Sequence, residues 1–531
     1  MKQLSKSRYT AFCQCPKNLW LNLNKPEEAV VDAGVEARME SGSEVGDLAM
    51  GLLGEYKEAH AERPDGSLDL TKMVALTRQW MDEGIENICE ASFAIEGHFC
   101  AVDILHKSGN EWDIYEVKST SLSEFGGQET KIEKYAPDIA YQKWVLNECG
   151  VKVKGTYLVC LNNNYVRQGA LDIQQLFVIH DIKEMVDNEY LKVTTRVKQA
   201  MKVIDSEQEP DIDLSERCQN PYKCAFWNYC KQKHDVPSPS VFDVYGGQGR
   251  GGFSFKKKLD CYHQGLVTFE DLRSTNIGPI QNMQIEAALT GKEFVNPEGI
   301  RKFLDRLSYP LYFLDFETMQ DAVPRYDGAK VYAQITFQYS LHIKERESVS
   351  TFVDAGKLKY TKTANYITHR EFLAPSDGSD PRRALAEQLC KDIPKDVCTL
   401  AYNKAFEYKR ICELAELYPD LAPHLRNIAD NIKDLIDPFR AGDYYVPAMG
   451  GSFSIKSVLP ALFPNDPELD YHNLDERCQN GGNAMTLFPA IQFMAPEEAA
   501  ASRQALLDYC KLDTWAMVKV WEKLKEKAGA I

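Results

Sequence analysis

The chain has 531 residues, with 62 Lys and Arg against 78 Asp and Glu, for a formal net charge of −16. The length predicts about three domains, or two large ones, and an apolar share of 44% with a charged share of 26% excludes a disordered chain. The acidic balance excludes a protein that coats nucleic acid through its overall charge, but leaves room for an enzyme that grips it locally and holds metal ions with carboxylates.

In chain order, the polar, basic opening (Lys2, Lys6, Arg8) lacks an apolar core and predicts no secretory leader. The spacing predicts helices over Lys6–Leu23 and Glu36–Ala59. Strands follow at Ala91–Ile95, Phe99–Leu105 and Trp112–Val117, then a helix at Asp138–Glu148, strands at Thr156–Leu161 and Leu176–Ile179, and a long charged helix at Ile182–Val203. This first segment, 1–235, reads as a sheet flanked by helices. The run Val236-Pro-Ser-Pro-Ser240 and the glycine-rich Gly246–Gly252 mark a linker. Gly247-Gln-Gly249-Arg-Gly-Gly252 matches G-x-G-x-x-G, but a Pro/Ser stretch precedes it and Lys256-Lys-Lys258 follows. A dinucleotide site needs a strand before and a long helix after, so a basic linker is expected. Short helices are predicted over Phe255–Leu307, making 236–308 a linker and helical connector. From Tyr309 strands are predicted at Tyr312–Phe316, Tyr332–His342 and Val397–Ala401, and a closing helix at Pro496–Lys527. No run of about 18 apolar residues occurs, so neither a membrane span nor a membrane partner is expected.

The 15 cysteines are too dilute for a disulfide scaffold. Cys218, Cys224 and Cys230 form a C-x5-C-x5-C run with Pro and aromatics between them, and Cys15 stands in Phe12-Cys-Gln-Cys-Pro16. Clustered thiols in a reducing, cytoplasmic compartment point to zinc or iron–sulfur. The first of them is either Cys13 or Cys15.

Asp103 lies in one predicted strand, Glu116 and Lys118 in the next. Side chains alternate along a strand, so Glu116 and Lys118 share a face, and pairing of the two strands brings Asp103 beside them. Two carboxylates and a lysine suit phosphodiester hydrolysis: the acids hold Mg²⁺ and the lysine serves the attacking water. Segment 1–235 resembles the PD-(D/E)XK nucleases of the RecB/Cas4 type, which have a restriction-endonuclease-like fold. The resemblance rests on the opening Leu4–Phe12 with Cys15-Pro16, on Asp103…Glu116-Val-Lys118, on Asp138-Ile-Ala-Tyr-Gln142 and on the closing cysteines. It implies a [4Fe-4S] cluster on Cys15, Cys218, Cys224 and Cys230, catalysis by Asp103, Glu116 and Lys118, and a substrate contact at Gln142. Two positions depart from the family pattern. Glycine replaces a histidine in Gly42-Ser-Glu-Val-Gly46, leaving Glu44 or Asp47 as substitutes, and Leu146 stands where Q-x-x-x-Y has tyrosine.

A second acid set occurs in Tyr312-Phe-Leu-Asp315-Phe-Glu317, Asn403-Lys-Ala-Phe-Glu407 and Tyr509-Cys-Lys-Leu-Asp513. Asp315 and Glu317 alternate onto one strand face, and Tyr509 and Asp513 share a helix face. Four acids and a tyrosine suit a two-metal site with cations about 3.5–4 Å apart. Residues 309–531 resemble the DEDDy branch of the DnaQ-like 3′–5′ exonucleases, an α/β fold of the ribonuclease H-like type. That resemblance implies Mg²⁺ or Mn²⁺ on Asp315, Glu317, Glu407 and Asp513, and a water-orienting Tyr509. It also implies substrate contacts at Asn403 and at Lys456 in Gly450–Leu459. Glu407 departs from the usual aspartate by one methylene. Together the two halves resemble a bacterial family of fused RecB-like and DUF2779 proteins. The expectation is an α/β multidomain, metal-dependent nuclease acting on single-stranded ends, DNA ahead of RNA. The alternative is a nucleic-acid-binding module with one working nuclease site, the C-terminal one. The segment Cys261–Leu272 resembles helix–hairpin–helix connectors, with a plain helical spacer as the simpler reading.

Overall fold

A computed structural model describes residues 3–30, 33–123, 129–247, 252–275, 277–346, 349–354, 357–362 and 367–529. Positions Gln248, Gly249, Arg250 and Gly251 of the glycine-rich motif lie outside the described residues. The chain forms two compact α/β units. One comprises Met1–Val236 with Asp321–Ala333, the other Pro237–Gln320 with Gln334–Ile531. The stretch read as a connector therefore falls in the second unit from Pro237 onward.

The first unit is built on a mixed sheet. Strands Asn87–Ile95, His98–Ser108 and Glu111–Leu122 form an antiparallel meander. The last pairs in parallel with Val153–Asn162, which pairs antiparallel with Phe177–Asp181. A parallel pair needs a crossover, and helix Ala136–Glu148 supplies it. This helix is buried almost all round, with Tyr141, Trp144 and Val145 in the core alongside Val186, Val193 and Val197 of helix Lys183–Asp205. Its polar side chains Asp138, Gln142 and Lys143 are buried with it.

The helix expected over Lys6–Leu23 is two helices, Lys6–Gln14 and Pro16–Asn24, parted at Cys15. Proline disfavours the helical conformation for the residue before it, and Cys15 is extended at φ −161° and ψ 126°. The break sets Cys15 apart from either helix. Strand Leu4–Ser5 pairs in parallel with the start of His98–Ser108, which anchors the chain just ahead of Lys6.

The second unit has a five-stranded mixed sheet in the order Ile367–Leu373, Gln334–Lys344, Leu311–Gln320, Cys398–Ala401, Ile432–Asp434. Leu311–Gln320 is antiparallel to Gln334–Lys344 and parallel to Cys398–Ala401. Nearly every residue of Gln334–Lys344 is buried although polar and apolar residues alternate along it, because helices Pro496–Lys527 and Arg382–Asp392 pack against it and bury Thr336, Gln338, Ser340 and His342 as well. The closing helix runs Pro496–Lys527, as its pattern predicts. Between Pro237 and Leu307 short helices predominate, with one strand, Phe294–Val295, pairing with Tyr444–Tyr445. Residues Asp321–Ala333 leave the second sheet as the link between two of its strands, yet Ala322, Val323 and Val331 pack with Val45, Val159 and Tyr165 in the first unit. Among the described residues no helix is long and apolar enough to cross a membrane.

Candidate active sites and metal centres

In the second unit, Asp315 and Glu317 stand on the central strand Leu311–Gln320, while Phe316 between them points into the opposite apolar cluster. Glu407 lies in the first turn of helix Ala405–Leu417. Tyr509 and Asp513 are one turn apart on the closing helix. Glu317, Glu407, Tyr509 and Asp513 are all buried. Cys510, also buried, sets its Sγ 3.9 Å from Asp315 Oδ2. Ligand atoms of Asp315, Glu317 and Cys510 lie within 4.8 Å of one another.

Burial and the neighbouring acids, Asp513 foremost, push Asp315 and Glu317 well above the usual carboxylate range. Burial lifts Glu407 to about 8, with Asp434 adding to the rise. It lifts Asp513 to about 6 against the opposing effects of a Tyr471 hydrogen bond and the Lys456 charge. Four acids raised together have too little positive charge around them, a condition a bound cation reverses. Glu407 Oε2 is buried and accepts no hydrogen bond. A buried, unpaired carboxylate oxygen is costly, and it fits a missing ligand of divalent type.

Two residues that sequence reasoning missed complete this site. The Tyr471 hydroxyl donates to Asp513 Oδ1 at 2.5 Å. Nothing in the local sequence marks it, since it arrives from a short helical turn far from the three motifs. Asp434, buried at the end of its strand, accepts from the backbone N–H groups of Asn403 (2.8 Å) and Lys404 (3.1 Å). Asn403 has φ 66°, a left-handed conformation that asparagine tolerates better than most residues. Asp434 thus fixes the turn that launches the Glu407 helix. Asn403, expected at the substrate, instead accepts from Arg440 through its side-chain oxygen at 3.0 Å. Lys456 Nζ is 5.7 Å from the ring centroids of both Tyr471 and Tyr509. It also lines a cleft of about 610 Å³ with Phe463, Tyr471, His472 and Asn480.

In the first unit, the register that pairs Ile104 with Tyr115 puts Asp103 beside Glu116 on adjacent strands. Glu116 is fully buried. Its Oε1 accepts from Lys118 at 2.6 Å and from Lys6 at 2.9 Å, and its Oε2 from Gln142 at 2.7 Å. Asp103 Oδ2 accepts from the Val117 N–H at 2.7 Å. Lys118 also donates to Asp138 at 2.9 Å. Burial would raise Glu116, but Lys118 and Lys6 outweigh it and hold the group down at about 2. Burial and the Glu116 charge push Asp103 up to about 6. Gln142, expected to touch substrate, is fully buried and holds Glu116 instead. Asp138, four residues before Gln142 on the same helix face, also accepts from it at 3.2 Å. Glu90, unmarked in sequence, sits at φ 52° and is raised to about 7 by burial and by Asp103. It lines a cleft of about 370 Å³ with Lys6, Asp47, Asp103 and Glu116. Of the two residues offered for the absent histidine, Asp47 lines that cleft; Glu44 is raised by burial and by Asp321.

Cys15, Cys218, Cys224 and Cys230 line one small cavity. Burial raises the thiols of Cys218, Cys224 and Cys230, the last to about 12, with Cys15 adding to each. Cys13 faces elsewhere, with its Sγ 3.9 Å from Arg196. Gln14 Nε2 donates to the carbonyls of Arg217 and Tyr222, at 3.1 Å and 2.7 Å, and ties the N-terminal helix to the cysteine loop.

A family model described as "Domain of unknown function (DUF2779)" matches residues 312–454. The matched span holds Asp315, Glu317, Asn403 and Glu407 and stops short of Tyr471, Tyr509 and Asp513. No curated protein matches the chain.

Proposed function

We propose that the chain is a metal-dependent nuclease, acting on single-stranded ends of DNA ahead of RNA, with its principal hydrolytic centre at Asp315, Glu317, Glu407 and Asp513. The observation that carries this reading is the convergence of four acids around the buried, unpartnered Glu407 Oε2. The order of these groups is what the resemblance to DnaQ-like DEDDy exonucleases, of ribonuclease H-like fold, requires: two on the first strand of a mixed sheet, one on a later helix, one on the closing helix. Mg²⁺ or Mn²⁺ held there would activate the attacking water and offset charge on the leaving oxygen. Asp315, Glu317, Glu407 and Asp513 hold the ions. Tyr471 fixes the Asp513 carboxylate by its hydrogen bond. Tyr509, one turn before Asp513, presents its phenol to orient the attacking water. Lys456 supplies positive charge beside Glu317 and Asp513, suited to a substrate phosphate.

The first unit is read as a RecB/Cas4-like PD-(D/E)XK domain carrying a [4Fe-4S] cluster. The four cysteines share one cavity, and Cys15 rather than Cys13 belongs to it. A cluster would close a loop of about 200 residues, which constrains the unfolded chain. Such a cluster fits a cytoplasmic, reducing compartment. A second reading, in which only the C-terminal centre cuts, is favoured by one observation: every carboxylate oxygen of Glu116 is already engaged by the protein.

The test is an end-labelled nuclease assay on single-stranded DNA and RNA with Mg²⁺ or Mn²⁺, comparing wild type with Asp315→Ala, Asp103→Ala and the double variant. Loss of 3′-end trimming in Asp315→Ala is expected. Intact substrate with wild-type protein and both metals would sink the enzyme reading.

A further inference from the structure

The two strand acids of the first unit already hold a cation, and it belongs to the chain. Lys6 Nζ lies 2.9 Å from Glu116 Oε1 and 3.5 Å from Asp103 Oδ1, bridging the pair read as metal ligands. The other acceptor positions are taken. Glu116 Oε1 also receives Lys118, Glu116 Oε2 receives Gln142, and Asp103 Oδ2 receives the Val117 N–H. In the second unit, by contrast, Glu407 Oε2 has no hydrogen-bond partner.

The placement of Lys6 is built into the fold. Its helix is capped by Ser5, whose hydroxyl accepts from the Arg8 N–H. The strand before it is pinned twice: the Leu4 N–H donates to the Gly97 carbonyl at 2.9 Å, and the Tyr141 hydroxyl donates to the Leu4 carbonyl at 2.7 Å. The backbone therefore delivers the lysine stem to the acids in one position. The head is a compact charge on a flexible four-carbon stem, and the cleft of about 370 Å³ that Lys6 lines gives it room to leave without moving the helix.

We propose that Lys6 is a tethered cation standing in the divalent-metal position of the first unit, so that an ion binds Asp103 and Glu116 only in competition with it. This rests on the reading of Asp103 and Glu116 as metal ligands. The consequence is that the two acid centres of the chain differ in kind. The second takes metal readily, while the first rests metal-free and neutralised from within.

The test uses the full chain carrying Asp315→Asn and Asp513→Asn, so that Mn²⁺ binding reports the first unit. Free Mn²⁺ is followed by electron paramagnetic resonance, and binding by calorimetry. Lys6→Gln is expected to tighten the tightest Mn²⁺ site at least tenfold. Lys6→Met, which keeps the stem, is expected to do the same and serves if Lys6→Gln fails to fold. Lys6→Arg, which keeps the charge, is expected to stay within twofold of the parent. Unchanged or weaker Mn²⁺ binding in Lys6→Gln and Lys6→Met overturns the proposal, as does equal tightening in Lys6→Arg. Glu116→Gln separates the two ways of failing. If it abolishes binding while Lys6→Gln does not tighten it, the competition alone is wrong. If Mn²⁺ binds equally well without Glu116, the metal reading of the first unit falls with it.

Discussion

Glu407→Gln is expected to stabilise the metal-free second unit at alkaline pH while removing its response to metal. In the folded chain Glu407 titrates at about 8, against 4.5 for an ordinary glutamate, chiefly because it is buried. A raised carboxyl pKa means that the folded state binds its proton more tightly than the unfolded state. Stability from this group is therefore complete below pH 4.5 and is lost as pH rises toward 8. At 1.36 kcal/mol per pH unit, the gap from 4.5 to about 8 is worth about 5 kcal/mol as an upper bound. Glutamine keeps the shape and cannot ionise, so the variant avoids the loss. For a domain of this size, 1 kcal/mol moves the melting point by roughly 2–4 °C. The assay is thermal unfolding from pH 5 to 9, in chelator and in Mn²⁺. In chelator at pH 8.5 Glu407→Gln should melt well above wild type, and at pH 5 the two should nearly coincide. Mn²⁺ should raise wild type and leave the variant nearly unmoved. A variant that melts below wild type at pH 8.5 in chelator, or a wild type equally stable at pH 6 and 9, would refute the reasoning.

Tyr471→Phe deletes the hydrogen bond to Asp513. A bond to a charged acceptor is worth about 1.5–3 kcal/mol, so exonuclease kcat/KM should drop roughly 10- to 100-fold. An unchanged rate would remove Tyr471 from the site. Asp434→Ala leaves the Asn403 and Lys404 N–H groups without their acceptor. It should destabilise the second unit by about 1–3 kcal/mol in denaturant melts and reduce activity through Glu407, and a silent variant would show the turn to be held otherwise. Cys15→Ser should abolish an absorption band at about 400 nm after anaerobic purification, while Cys13→Ser retains it. Stoichiometric zinc without iron in the wild type would overturn the cluster.

Much of the fold was legible because its elements obey simple periods. The strand Gln334–Lys344 reads as a polar–apolar alternation of period two, and the closing helix shows its ends at Pro496 and Lys527. The motif acids were legible because strand alternation and the helical turn place Asp315 with Glu317 and Tyr509 with Asp513. The residues missed reach their sites by long-range packing. Tyr471 comes from a turn with no periodic pattern, Glu90 from a kink at positive φ, and Lys6 from a helix whose start looked like ordinary basic surface. The break at Cys15 was written in Pro16 and passed over. Gln142 shows the converse limit. A polar residue on the correct helix face can serve the carboxylate rather than the substrate, and only burial separates the two roles.

Set side by side, the two acid centres show why a count of carboxylates says little about metal demand. Asp103, Glu116 and Asp138 have Lys6 and Lys118 within 3.5 Å of their oxygens, and Glu116 is held at about 2. Among Asp315, Glu317, Glu407 and Asp513, Lys456 lowers Glu317 and Asp513 and Arg410 lowers Glu407, yet all four are raised. The first set thus has two lysines against three acids, although Asp103 is still pushed up to about 6. A net charge of −16 is therefore not spread evenly over the functional acids. The raised acids are concentrated in the second unit, where, on the proposed reading, a divalent cation would do the most. Metal titrations should accordingly stabilise the second unit at lower concentrations than the first.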